Sequence, residues 1–438
     1  MSIFQDLLRI PTISTSPNHT EDMKIGAKFL ADYLTNLGFE NACIYSTPRH
    51  PIVYAEWMKA PTDAPTLLIY GHYDVQPPDP LDEWTSEPFN PTVRDDYLFA
   101  RGASDMKGQV MATIFALESI LKASELNINI KYILEGEEEI GSPSLDAFME
   151  EHKDLLNANF VLNPDAGMIA PDRPTIVYGL RGLAYFELRI NGPKADLHSG
   201  LFGGIIHNPA IVMSEVISRM HDQDGKVTLP GFYENVKELS QAEREKILSL
   251  DLNDTHFIDM TGVPQLYGEK GYTQLERIGA RPTLDVNGLY SGFIGEGGKT
   301  IIPAFANAKI SCRLVPDQDP KQVNQQMIEF LNNEIPSTVT WKLTMSSGAP
   351  AYKSENVPGL ENFISALETV WDKPVAYKRE GGSVPVATSM KNILGLDSIL
   401  TGFGLPDDQI HSPNERLHLP TWQLGIKALI LFLLSFSK

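Results

Sequence analysis

Apolar residues recur at Ile25, Phe29, Leu30, Tyr33, Leu34 and Leu37, and Gly38 follows them. That 3.6-residue spacing over 22–37 predicts a helix with one buried face and a glycine stop. The pattern then shortens. Positions 52–57 read as a strand, 60–65 is interrupted by prolines, and 66–70 is an unbroken apolar run, as expected of a strand covered on both faces. A helix is predicted over 106–121, behind Gly102 and Asp105, and strands over 128–134 and 160–162. Strands alternating with helices give an α/β fold whose sheet is largely parallel.

Near Gly179 the pattern changes character. Residues 184–190 alternate like a half-buried strand, 208–220 reads as a helix, and 306–314 as a strand. A second helix is predicted over 322–331, and 338–345 alternates like an edge strand. Helix and strand signals of the first kind resume after about residue 355, at 359–370, at 397–402 and in an apolar final segment. The expected organisation is therefore an α/β domain built from both ends of the chain, 1–179 and 356–438, around an inserted α+β domain, 180–355. The run 428–436 is strongly apolar but far shorter than the roughly 20 residues a membrane span needs, so it predicts a buried terminal helix.

The polar residues that could carry chemistry lie just past predicted strand ends or in loops, where ligands bind in open α/β sheets. They are His72 behind the 66–70 strand, Asp105 after Gly102-Ala103-Ser104, Glu139 in the run Glu137-Glu138-Glu139, Asp165 after Pro164, and His411. Each alone has an ordinary explanation: a helix cap, a solvated charge run, a turn. Together they form a set of imidazoles and carboxylates suited to Zn²⁺ or Mn²⁺, with Co²⁺ a further fit. Two such ions can share one carboxylate when they lie about 3.5–4 Å apart.

Charge and cysteine content narrow the setting. With 36 Lys and Arg against 56 Asp and Glu, the net charge is −20, which repels nucleic-acid phosphates and anionic membranes and argues against both as partners. Cys43 and Cys312 cannot build a disulfide framework or a cysteine zinc site. With no signal-like N-terminus, this favours a cytoplasmic protein.

Three blocks carry a family likeness: Gly71-His72-Tyr73-Asp74-Val75-Gln76-Pro77, Arg101-Gly102-Ala103-Ser104-Asp105-Met106-Lys107-Gly108, and Glu135-Gly136-Glu137-Glu138-Glu139-Ile140-Gly141-Ser142. They resemble the dinuclear metallopeptidases that include carnosinase-like dipeptidases, carboxypeptidase G, aminoacylase, acetylornithine deacetylase and succinyl-diaminopimelate desuccinylase. The likeness runs over nearly the whole chain, with its blocks in the family order. It implies a catalytic domain with an inserted lid and dimerisation domain, and two bound divalent ions. Asp105 would bridge the ions, with His72 and Asp165 completing one site and Glu139 and His411 the other. Asp74 would orient His72, and Glu138 would be the general base, moving a proton from the attacking water to the leaving amine. The peptide bond after Asp105 is expected to be cis.

In the inserted domain, the resemblance makes His198 in Asp196-Leu197-His198-Ser199-Gly200 the oxyanion partner, reaching across from a second subunit. Thr300 and Arg313 lie in segments that contact substrate, Arg313 as the grip on a carboxylate. Gly382 and Ser383, in Glu380-Gly381-Gly382-Ser383-Val384-Pro385, belong to the loop that closes around the same group. Position 137 departs from the pattern: it is Glu where many relatives carry an apolar residue. Its charge would either raise cation affinity or raise the pKa of Glu138. The segments around Thr300, Arg313 and 381–385 look closest to the carnosinase-like dipeptidases. The resemblance thus implies a metallo-dipeptidase or short-peptide carboxypeptidase working as a homodimer. An N-acyl-amino-acid amidohydrolase and a catalytically silent scaffold are the alternatives.

Overall fold

The apolar run at 66–70 forms the strand Thr66–His72, buried from Leu67 through His72. In this computed structural model, which describes residues 1–354, 356–382 and 385–436, the strand lies within a sheet of the order Glu40–Tyr45, Ile52–Trp57, Asn129–Glu135, Thr66–His72, Phe160–Asn163, Ser398–Leu400, Thr175–Leu180. Asn129–Glu135, Thr66–His72, Phe160–Asn163 and Ser398–Leu400 run parallel, while the outer pairings are antiparallel. Register brings the carboxyl ends together: His72 sits opposite Glu135, and Leu400 opposite Asn163.

Helices cover the parallel strands. Lys107–Ala123 packs on Thr66–His72 and against the terminal helix Leu419–Leu434, which also meets Leu360–Trp371. The terminal helix buries Trp422, Leu429, Phe432 and Leu433, so its apolar character is spent on the core. Among the described residues no helix is long and apolar enough to cross a membrane.

The chain separates into two units, Met1–Tyr178 with Ser354–Lys378 and Val386–Lys438, and Gly179–Lys353 with Arg379–Pro385. The short segment Arg379–Pro385 differs from the sequence expectation, which assigned it to the first unit. Its contacts explain this: Arg181 Nε donates to the Gly381 carbonyl at 3.2 Å, and Arg379 forms an ion pair with Glu243.

The second unit is built on an antiparallel sheet, Thr283–Ser291, Phe305–Leu314, Gly182–Asn191, Thr340–Ala349. Gly182–Asn191 is buried at every second residue, the two-residue period of a sheet with one covered face. The helices Pro209–Ser218 and Pro320–Glu334 pack on this unit's sheet, forming a core with Phe186, Ile190, Val212, Met213, Met327 and Leu331. A two-residue ribbon pairs Leu197–His198 with Ile301–Ile302.

Candidate metal centre

Three of the parallel strands deliver side chains at the same edge. Thr66–His72 ends in His72, Asn129–Glu135 leads into Glu138 and Glu139, and Phe160–Asn163 into Asp165. Neighbouring strand residues face opposite ways, so two adjacent glutamates can serve one site only if the strand stops. It does: a 3-10 turn, Glu138–Ile140, takes over, and Gly141 closes it at φ +85°. Asp74 fixes this turn from inside. Its carboxylate accepts from the backbone amides of Glu138 at 3.3 Å and Glu139 at 3.1 Å, and lies 3.4 Å from His72 Nδ1.

Asp105 stands between two imidazoles. Its Oδ1 is 3.2 Å from His72 Nε2, and its Oδ2 is 3.0 Å from His411 Nε2. His72 Nε2 is also 3.8 Å from Asp165 Oδ1, and His411 Nε2 is 3.3 Å from Glu139 Oε2. The five side chains thus fall into two groups, His72 with Asp165 and His411 with Glu139, joined through Asp105. His72, Asp105 and Glu139 present ligand atoms all within 4.8 Å of one another. Imidazole nitrogens and carboxylate oxygens at this spacing fit a pair of borderline divalent ions. The Asp105–Met106 peptide bond is cis.

The electrostatics match. Burial, then Asp165, Glu139 and Asp105, push the Glu138 carboxyl up to about 9 against the pull of His72. Hydrogen bonds to Asp105 and Glu139 raise His411 to about 10. Burial works against the charged form of His72, yet its bonds to Asp105 and Asp74 hold it well above the usual imidazole range. Asp105, also buried, is held low by the same two imidazoles. Crowded carboxylates are here balanced by imidazolium protons, which divalent charge would displace.

Glu415, Arg101 and Gln76, without an assigned role in the sequence reading, hold this arrangement. Glu415 is fully buried and accepts from the amides of Gly102 at 2.8 Å, Ser104 at 2.9 Å and Asp105 at 3.0 Å. It also pairs with the buried Arg101 at 2.8 Å. One carboxylate therefore ties the Asp105 loop to the loop carrying His411, and its place four residues beyond His411 was the sole hint in the sequence. Gln76 donates to Glu139 Oε2 at 2.8 Å. The Glu137 carboxylate is buried and bonded to Thr47, His50 and Ser144.

The substrate-contact candidates all lie in the second unit, in two separate places. His198 lies in the ribbon and Thr300 just before its second strand, both exposed, with Ser199 N donating to the Thr300 carbonyl at 3.1 Å. Arg313 lies at the far end of Phe305–Leu314, opposite Leu183 and Thr283. Arg181 holds the Gly381 carbonyl and is acidified to about 10 by burial and by the Arg313 charge, so Arg181, Arg313 and Gly382 share that end. From Phe305 to Arg313 the strand covers roughly 27 Å at about 3.4 Å per residue. One copy of this unit therefore does not bring His198 and Arg313 together. Ser383 lies outside the described residues.

This fold and this paired-ligand edge define a dinuclear-type metallopeptidase. The chain belongs to peptidase family M20/M25/M40, whose model matches residues 68–435. It is 31% identical to the Cys-Gly metallodipeptidase DUG1 of Candida albicans, over 99% of this chain and 94% of that protein. It is 30% identical to the human Beta-Ala-His dipeptidase, over 90% and 79% respectively. Among solved structures, the M20 family metallo-carboxypeptidase Sso-CP2 from Sulfolobus solfataricus superposes with a TM-score of 0.86 at 33% identity, covering 99% of this chain and 98% of that one. The protein is accordingly a hydrolase that cleaves peptide bonds with the help of metal ions.

Proposed function

We propose that the protein is a dipeptidase of the cytosol, cleaving dipeptides or very short peptides with two divalent ions, Zn²⁺ or Mn²⁺, held by His72, Asp105, Asp165, Glu139 and His411. The observation that carries this reading is the position of Asp105, with one carboxylate oxygen toward each imidazole and a further carboxylate beside each. The ions supply Lewis acidity to the scissile carbonyl and to the attacking water. Glu138, buried among these groups, accepts the proton of that water and returns it to the leaving amine. Cations held by the neighbouring ligands would lower the proton affinity that Glu138 has among carboxylates alone. Asp74 keeps the Glu138–Ile140 turn and His72 in a fixed relation.

Relatives named as dipeptidases at about the 30% level support small peptides over N-acyl amino acids. The free cysteines Cys43 and Cys312 support a reducing compartment. We assign Arg313 and Gly382, with Ser383, to the substrate carboxylate, and His198 and Thr300 to the oxyanion side, contributed by a second copy. Exposed apolar residues beside the ribbon and near the outer strand, Leu201, Ile205, Ile211, Leu289 and Ile294, support an interface there.

The test uses chelator-stripped protein with Zn²⁺, Mn²⁺ or Co²⁺ restored, a dipeptide panel and the matching N-acetyl amino acids. Dipeptide turnover should depend on metal and fall at least about 100-fold in Glu138→Ala. Turnover of the N-acetyl compounds alone would assign the protein to the deacylases. A protein inert with every metal would be a scaffold.

A further inference from the structure

Glu137 is 1% exposed, and its carboxylate is held by Thr47, His50 and Ser144. Oε1 accepts from the His50 amide at 2.8 Å and the Ser144 hydroxyl at 3.0 Å, and Oε2 from the Ser144 amide at 3.0 Å. The Thr47 hydroxyl is a further donor 2.7 Å from Oε1, its one proton shared between this carboxylate and the His50 carbonyl. A buried carboxylate with this many donors is a fixed anchor. What it anchors is the turn that carries Glu138 and Glu139. The Glu137 carbonyl accepts from Ile140 N at 3.1 Å and Ser142 N at 2.8 Å, so the same residue closes the turn through its backbone and pins it through its side chain.

Asp74 grips the amides of Glu138 and Glu139 from the metal side. Glu137 grips the flanking segments, 47–50 and 142–144. We infer that Glu137 is a positioning residue: it sets where the carboxylates of Glu138 and Glu139 stand, by locking their turn between two neighbouring loops. An apolar side chain there would leave the buried amides of His50 and Ser144 without this acceptor, so segments 47–50 and 142–144 must be settled differently in a chain that has one.

The inference rests on the proposed roles of Glu138 and Glu139, and its test separates the two. Glu137→Gln keeps size but presents an amide NH₂ to at least one of the donors now facing a carboxylate. Loaded with Co²⁺, the variant is expected to show a changed d–d spectrum and a metal affinity weakened about 10-fold, with kcat down about 10–100-fold and KM within about 3-fold. The Co²⁺ spectrum reads ligand placement whether or not the chosen peptides are substrates, so an inactive wild-type protein would sink the dipeptidase reading and leave this measurement standing. A spectrum, metal affinity and kcat all unchanged, with only the melting temperature lowered, would overturn the positioning role. Should Glu137→Gln fail to fold, Ser144→Ala and Thr47→Val remove single donors. Each should then shift the Co²⁺ spectrum in a common direction with kcat lowered several-fold, and unaltered spectra in both would overturn the inference equally.

Discussion

Asp408 shows how far one buried acid can be pushed at the edge of this site. Its Oδ2 accepts from the Ser104 hydroxyl at 2.7 Å and the Leu405 amide at 2.8 Å, while Oδ1 is buried without a hydrogen-bond partner. Burial outweighs those two bonds and raises its carboxyl from 3.8 to about 7. A raised acid favours the folded state while both states are protonated, and that contribution is lost as pH climbs from about 4 through 7. Asp408→Asn keeps an oxygen for Ser104 and Leu405 and removes the charge. In the presence of chelator, the variant should match wild type near pH 4 and be more stable by on the order of 4 kcal/mol at pH 8. Urea midpoints at the two pH values measure this, and equal midpoints at pH 8 would show that Asp408 ionises there without cost.

Elements fix which residues meet, and here the sequence was most legible. The strand at 66–70, the helix behind Asp105 and the buried terminal helix follow from apolar periodicity, because in each a single buried face or an entirely buried run sets the pattern. Strand ends then pointed to His72, Glu139 and Asp165, since a parallel sheet gathers its carboxyl ends on one edge, whereas Asp105 and His411 come from loops. What periodicity does not encode is the hydrogen bonding of loops. Nothing in the spacing of Glu137 distinguishes a buried anchor from a free charge, and nothing marks Glu415 as the acceptor for three amides. The stretch between the helix Pro209–Ser218 and the strand Thr283–Ser291 had no periodic signal either. It holds the short helices Gln241–Leu248, Asp254–Thr261 and Gln274–Gly279. Two of these announce themselves by capping boxes, Ser240 with Glu243 and Thr273 with Glu276, a local sign independent of periodicity. The terminal helix offers a quantitative check. Phe432 is fully buried, with its ring 5.1 Å from Phe363 and 6.5 Å from Phe160. Phe432→Ala should lower unfolding free energy by about 3–5 kcal/mol, read from urea denaturation, with KM unchanged in the folded protein.

At the scale of the whole molecule, the proposed substrate contacts fall into two groups. His198 and Thr300 occupy one end of the second unit's sheet, Arg313 and Gly381 the other, separated by the length of Phe305–Leu314. A dipeptide is far shorter than that strand, so a single copy of this unit cannot apply both groups to one substrate. In the proposed dimer, an interface that includes the ribbon would let each copy's His198 serve its partner's substrate. The consequence is a complementation experiment. His198→Ala and Glu138→Ala are each expected to be nearly inactive. Mixed and re-equilibrated in equal amounts, half of the dimers are heterodimers, and in each of those one site combines an intact Glu138 with the partner's intact His198. Activity should return to about a quarter of wild type. If His198 served its own subunit, no dimer in the mixture would hold a complete site, and the mixture would stay as inactive as its components. Sedimentation of the same mixture distinguishes that outcome from a failure to exchange subunits, since a fluorescently tagged variant must appear in dimers with the untagged one before the silence of the mixture counts against the partner's role.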